Sequence, residues 1–521
     1  MALALVAIGA LGFALSVHFG LIGGPQFTEG VVVSERPMSL NPLIDEADPA
    51  VVDVGHLLYR SLLKLDASGY PQPDLATSYT VSPNGLTYAV VLPATARWSN
   101  GSPITAADVI ATSRFALSPQ ASDPTLAAAL HGVTVAGDQA VVTFTLTAPR
   151  ASFAATLTEL PILPLGGLTA PQLANAAAHS TTPMPTSGPY AVQSTSTLRV
   201  LLAPNPHAVT RPAITSYELR LFVTFREAAG EFAAGDINAL LATTPEELST
   251  LLAVKGAQAE GMTTPDFVDL MFNERVGALG DSVVRHAIGI AISRTDVVSG
   301  ALERAGGVVE TGPFSDGLPW VGSSTLESVS PAVAEQVLKA DGWVPGTGGT
   351  RHKGATRLAF TLDVPAIDPL PVVAREVARQ LNAIGVEVTV KTVAPEDFLH
   401  GTLDTGDFQL AIDSWSPGPD PDVSAFWRSN AVPPRGYNVS GGPVDPFLDS
   451  ALDTLAESPD RTLRISAAAH VAMLVADDAP AIFLYTPRVS MVFRSPMPLA
   501  PMPALGDEAD RYNDIAAWQL R

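Results

Sequence analysis

Between Leu358 and Trp415 the apolar residues change their spacing twice, and that change limits the chain to one broad class of fold. Leu358, Phe360 and Leu362 alternate as a strand does; Val373, Val377, Leu381 and Ile384 then recur at helical spacing and stop at Gly385, which can take the left-handed turn that ends a helix. Val386, Val388 and Val390 return to alternation. Pro395-Glu396-Asp397 opens a short helix with proline and acids in its first turn, and Phe408 to Ile412 makes a third strand. A strand, a helix and a second strand form a βαβ unit, so the predicted class is α/β. The third strand runs into Asp413-Ser414-Trp415. Ligands of open α/β sheets lie beyond the carboxyl ends of strands, which makes Trp415 a binding candidate, against the plainer role of capping the core.

The same grammar recurs without a fixed repeat period. Val133-Thr134-Val135 and Val142 to Leu146, joined through Gly137-Asp138, read as a hairpin. Ser330-Pro331 starts a helix through Val333, Val337 and Leu338 to Gly342, and Asp281 caps another through Val284, Ile288 and Ile292. Gly306 to Ser323 is a connection rich in glycine and proline. Gly346-Thr347-Gly348-Gly349 resembles a phosphate loop in composition but lacks the strand and helix on either side, so it reads as a surface turn.

Ala2 to Ile22 is a nearly continuous apolar run of bilayer length, followed by Gly23-Gly24-Pro25. No Lys or Arg precedes Arg36, and Ala14-Leu15-Ser16 is a poor cleavage site inside the run. The expectation is therefore an uncleaved membrane anchor at residues 1–25. The chain of 521 residues carries 30 basic and 52 acidic groups, a formal balance of −22, which argues against nucleic acid and anionic membrane surfaces as partners. It contains no cysteine, which removes disulfides, thiol nucleophiles and a lipidated cysteine.

Catalytic patterns are almost lacking. The nine histidines never fall at metal-ligand spacing, and no Gly-x-Ser-x-Gly elbow occurs. Asp420-Pro421-Asp422 and Asp477-Asp478 are acid pairs of the kind that cap helices and turns rather than exchange protons with a substrate. His56 and His286 lie in apolar helical patterns and read as structural. No cofactor, no metal and no enzymatic reaction are expected.

From His56 onward the chain resembles the extracytoplasmic solute-binding proteins of ABC importers, the oligopeptide, dipeptide and nickel class known as family 5. The resemblance rests on phrases in order: Leu58-Tyr59-Arg60-Ser61-Leu62-Leu63, Pro73-Asp74-Leu75-Ala76-Thr77-Ser78-Tyr79, and Trp98-Ser99-Asn100-Gly101-Ser102-Pro103-Ile104-Thr105 through Asp108-Val109. Thr186-Ser187-Gly188-Pro189-Tyr190, Asn205-Pro206, Gly235-Asp236, Met271-Phe272-Asn273, Gly342-Trp343, Trp415 with Asp420-Pro421-Asp422, and Ala479-Pro480 continue it. It covers about residues 30 to 521.

What the resemblance implies is a two-lobed periplasmic-binding-protein fold (type II, cluster C). Lobe I would be 26–266, with an extra subdomain at about 56–184, lobe II 267–485, and 486–521 would return to lobe I. The implied activity is capture of a small solute, possibly a peptide, by hinge closure, with ABC permease and ATPase subunits as partners. The protein is expected as a monomer on the extracytoplasmic face of the cell membrane, or in the periplasm if the leader is cleaved. Trp98, Gly101 and Asp108 read as scaffold. The implied cleft residues are Asn41, Leu43 and Ile44, then Ile162, and from lobe II Trp415, Pro419, Asp420 and Tyr437. Peptide-binding members of the family carry an aspartate three residues after the tryptophan that pairs with the ligand's ammonium; here that position is Gly418. The implied solute therefore has a neutral or blocked end, or is a non-peptide such as a glycoside or lipid headgroup, unless a two-residue slip lets Asp420 serve. Two other classes fit the same fold: a membrane-tethered sensor or envelope-assembly factor, and a hydrolase using dispersed carboxylates.

Overall fold

The structure, a computed structural model, describes residues 26–44, 48–138, 140–169, 172, 181–302, 306–314, 329–495, 498–499 and 506–520. The expected anchor at Ala2 to Ile22 lies outside these residues, as does 315–323 of the glycine- and proline-rich connection. Among the described residues no helix is long and apolar enough to cross a membrane.

One large sheet organises the chain. Its strands are β1 (Gln26–Val32), β2 (Tyr190–Thr195), β3 (Arg199–Pro204), β4 (Ser216–Phe222), β5 (Ala239–Ala242) and β6 (Gln258–Thr263), then β7 (Phe267–Phe272), β8 (Gly307–Val309), β9 (Ala359–Pro365), β10 (Glu387–Val393), β11 (Leu410–Trp415) and β12 (Ala481–Phe493). They lie in the order β10-β9-β11-β7-β12-β5-β1-β4-β3-β2, with β6 and β8 also paired to β12. The predicted βαβ unit is present: β9 and β10 run parallel from Ala359↔Glu387 to Pro365↔Val393, joined by helix α1 (Leu370–Ala383), and Gly385 takes a φ of 83°. The predicted hairpin pairs Thr134 with Thr145 and belongs to a separate four-stranded sheet with Ser78–Val81 and Thr87–Val91. Gly346 to Thr350 is the turn of a small ribbon, closed by Gly346 N–H donating to Thr350 O at 2.9 Å.

The strand β12 is the longest in the sheet and serves both of its halves. Ala481 to Tyr485 pair antiparallel with β7, while Arg488 to Phe493 pair with β6 on one edge and, from Ser490, with β5 on the other. The apolar interior divides at the same place. Two buried clusters draw on residues from Phe27 to Met262 and from Val489 to Trp518. Two others are built from residues between Phe267 and Tyr485. Trp98 lies in the first cluster, and Asp108 accepts from the N–H groups of Thr105 and Gly166, both at 2.9 Å, which accounts for both residues as scaffold.

A buried polar network fastens the last residues to the first strand. Arg511, 1% exposed, donates to both oxygens of Asp53 at 2.7 and 2.6 Å and to Tyr512 Oη at 2.9 Å. Tyr512 Oη donates to Glu29 of β1 at 2.6 Å, and Tyr217 of β4 donates to the other Glu29 oxygen. Burial raises the Glu29 carboxyl, and the Arg511 guanidinium opposes that rise.

Candidate functional site

Trp415 stands where the sheet opens. Strand β11 stays paired with β7 as far as Phe267↔Trp415, but its pairing with β9 ends at Asp363↔Ala411. From Ile412 to Trp415 the outer edge of β11 thus has no strand beside it, and Ser414 and Ser416 are exposed. Backbone groups in that state can accept an added strand. The Trp415 side chain itself is 9% exposed and turned inward. Its Nε1 donates to Asp269 Oδ1 at 3.2 Å, and its ring meets Phe426 edge-on at 5.4 Å and Tyr437 at 5.7 Å. Tyr437, half exposed, stacks on Phe426 at 5.4 Å. Trp415 therefore caps the core as well as flanking the open edge.

The loop after Trp415 reaches the other half of the molecule. Ser416 hydrogen-bonds the Asp266 side chain, and Pro419 lies against Gly506, close enough that a Cβ there would come within 2.9 Å of it. Farther out, Arg461 stands over the Tyr70 ring at 4.4 Å, and Ala151 N–H donates to Ala456 O at 2.7 Å. The two halves are thus in contact both at the Trp415 loop and away from it.

The remaining implied cleft residues are placed as follows. Asp420 is buried in an ion pair with Arg464 and also accepts from Asp422 N–H at 3.0 Å, so its carboxylate is committed within its own half. Gly418 has a φ of 82° and nothing within 4 Å of a Cβ built on it, a conformation that an aspartate adopts only with strain. Asn41, Leu43 and Ile162 have side chains in the interior at 1%, 2% and 0% exposure; Ile44 is half-buried against the same core. Asn41 Oδ1 accepts from Leu43 N–H at 3.1 Å, which folds the segment into a turn, while its Nδ2 is buried without a partner. Only Trp415 and Tyr437 of the implied set touch ring to ring.

Sequence reasoning missed the acids around this junction. Asp507 lies within electrostatic reach of Asp266, Glu159, Glu508 and Asp510. Burial pushes Glu508 up to about 7 and Asp510 to about 6, with nearby Asp507 raising both and His56, 3.9 Å from Asp510, opposing. Asp269 is 1% exposed, and Asp413, its cross-strand partner, is pushed up to about 6 by burial. Among the described residues no group of three or more acids and histidines is arranged to hold a metal ion. The signal for Asp269 was a single polar residue in the otherwise apolar run Phe267 to Phe272. A cavity of about 350 Å³ lined by His56, Tyr59, Arg60, Lys64 and Asp514 sits in the first half, but Arg60 is held by Asp74 at 2.7 Å and Lys64 by Asp514 at 3.0 Å.

This architecture has known counterparts. Protein XP55 of Streptomyces lividans is 29% identical over 494 residues, covering 93% of this chain and 88% of that protein. The oligopeptide-binding protein AppA of Bacillus subtilis is 25% identical over 495 residues, 90% of this chain and 88% of its own. The fold is also that of NikA from Brucella suis, solved in complex with Fe(III)-EDTA, with a TM-score of 0.77, 18% identity, and coverage of 95% of this chain and 100% of that one. Residues 70–435, which include both the four-stranded sheet and the Trp415 loop, match the model of the bacterial extracellular solute-binding proteins, family 5 (middle region). A sheet in two halves sharing one long strand, with an open strand end between them, is thus the scaffold of a binding protein, and the chain belongs to the bacterial extracellular solute-binding proteins of family 5.

Proposed function

We propose that this chain is the solute-capturing component of an ABC importer, closing two lobes over a small solute and delivering it to a permease. Lobe I would comprise 26–266 and 486–521, and lobe II 267–485, with β6–β7 and β12 as the connection that bends. The solute would lie along the open edge of β11, against Trp415, Pro419 and Tyr437, with the Asn41 to Ile44 turn contributing from lobe I. In this reading Ala2 to Ile22 holds a monomer at the extracytoplasmic face. The observation that carries the proposal is the division of the interior at β12 together with the unpaired strand end placed at that division. Gly418 and the pairing of Asp420 with Arg464 support a solute whose end near this loop is not a free ammonium.

Native mass spectrometry of the full chain, purified from its own host, tests the proposal. A retained small molecule is expected, with a fall in radius of gyration when the emptied protein is resupplied with it. Trp415→Ala should weaken its binding about 30-fold, the effect of losing an aromatic anchor worth about 2 kcal/mol. No retained molecule, no compaction with any solute pool and full affinity in Trp415→Ala would refute it.

A further inference from the structure

Three short loops of the first half meet one turn of the second. The strands Leu63–Leu65 and Pro71–Pro73 pair from Leu63↔Pro73 to Leu65↔Pro71, and the residues between them form a tip. Asp66 Oδ1 accepts from Ser68 N–H at 2.8 Å, from the Ser68 hydroxyl at 2.6 Å and from Tyr70 N–H at 3.0 Å. Asp66 N–H donates in turn to Tyr70 O at 2.9 Å, and Gly69 makes the bend at a φ of 74°. An aspartate that ties its own backbone in this way builds a defined turn, so the tip has a shape that does not depend on the other half.

Tyr70 closes the tip, and its side chain is hydrogen-bonded to Tyr79 of the four-stranded sheet. Its ring, however, packs against the buried cluster of the second half that holds Trp415, Phe426 and Val471. Arg461 stands over that ring at 4.4 Å, and Asp66 lies within electrostatic reach of the same guanidinium. Arg461 begins the helix Arg461–Asp478, and the helix before it is Pro446–Glu457, so the tip meets the turn that joins the two. Ala151 N–H donates to Ala456 O of this turn at 2.7 Å. Gly85 approaches it too, since a Cβ built there would lie 3.4 Å from Glu457 O. An aromatic ring, a glycine turn and a main-chain donor thus converge on residues 456–461 from three separate loops.

Every group in these contacts belongs to the chain itself. They exist only while the two halves lie together, and a contact made in one of two arrangements shifts the balance toward that arrangement. Arg461 is exposed, so its place over Tyr70 is worth a factor of about 2 to 5 in that balance, with the packing of the ring in addition. We propose that the Tyr70 tip, Gly85 and Ala151 form a clasp on the 456–461 turn that favours closure of the lobes by a fixed amount, whatever the solute. The proposal rests on the reading of the chain as two lobes that close over a solute, and it adds the device that regulates closure. With the clasp engaged, a solute has to supply only the remainder, and its release requires the clasp to part.

The chain has no cysteine, so Ala151→Cys, at a position 6% exposed, provides a single thiol whose alkylation by N-ethylmaleimide reports how often the clasp opens. In that background Tyr70→Ala should speed alkylation about fivefold, and Arg461→Gln, which alters only the opposite lobe, about threefold. Combined, they should do no more than Tyr70→Ala alone, because both act through one contact. Small-angle X-ray scattering should give the Tyr70→Ala chain a larger radius of gyration than a chain locked by oxidising Ala151→Cys together with Ala456→Cys. If Tyr70→Ala does not fold, Arg461→Gln carries both comparisons. Alkylation unchanged by these substitutions, effects that multiply when combined, or equal radii in the locked and unlocked chains would each overturn the clasp. None of these readouts uses a solute. A chain that retains no small molecule but shows the coupled change in alkylation therefore loses the capture reading and keeps the clasp, whereas one that retains a molecule without that change loses only the clasp.

Discussion

Arg511→Met removes the cation that holds the last residues of the chain to the first strand. The guanidinium is 1% exposed and serves Asp53 through both carboxylate oxygens, with Glu29 3.6 Å away and also buried. Removal leaves two acids in the interior facing no base, and breaking a buried pair in this way costs about 3–5 kcal/mol. Part of that cost is avoidable, because Glu29 keeps its hydrogen bonds from Tyr512 and Tyr217 and can protonate. The loss should therefore sit near the lower end, about 3 kcal/mol, and should be smaller at pH 5 than at pH 8. Adding Asp53→Asn to Arg511→Met should recover about half of it, since the uncompensated charge is then gone while the shape remains. Urea unfolding of the full chain, followed by tryptophan fluorescence, compares the unaltered protein with both variants at two pH values. A loss under about 1 kcal/mol in Arg511→Met, or no recovery in the double variant, would show that the network is not what secures the C-terminal segment.

Stability should decline as pH rises through neutrality. Burial pushes Glu508 and Glu274 up to about 7, and Asp510 and Asp413 to about 6, from unfolded values of 4.5 and 3.8. Such groups bind protons more tightly when folded, so their contribution is complete below about pH 4 and is lost as pH climbs through 6 and 7; a melting temperature that is flat or rising from pH 5 to 7.5 contradicts this. Gly188→Ala should cost about 2 kcal/mol or more, because its Cβ would lie 2.7 Å from Leu57 O and Leu58 C, which are backbone atoms with no room to yield. Gly418→Ala, strained only by its φ of 82°, should cost about 1 kcal/mol, and equal losses at the two glycines would refute the steric account.

What the sequence made legible was local. The switch of spacing from Leu358 to Ile412 specified β9, α1, β10 and β11 because period and cap chemistry act within a few residues. The placement of Trp415 at a strand end followed from the same rule. Its inward turn did not, because that depends on Asp269, 146 residues away across the sheet. Asp420 was readable as an acid beside proline but not as the partner of Arg464 on a later helix. The burial of the Asn41 and Leu43 side chains was not readable either; their segment is pressed onto a helix at Gly55, where a Cβ would come within 2.8 Å of Pro42. Side-chain direction in an irregular segment is set by what packs on it, and a linear pattern carries no trace of that.

The long strand β12 also dictates when the molecule can be finished. Phe27, near the start of the described chain, meets the rings of Phe493 and Trp518, at 6.5 and 6.3 Å, and β5, which lies beside β1, finds its other neighbour only at Ser490 to Phe493. Contacts of such sequence separation close slowly, and here they cannot begin until residues 490–518 have been synthesised. Until then the first half carries an unpaired strand edge and two acids awaiting their arginine. A nascent chain of this design stays accessible to any machinery that handles unfolded polypeptide until Ser490 to Trp518 arrive to close its first half.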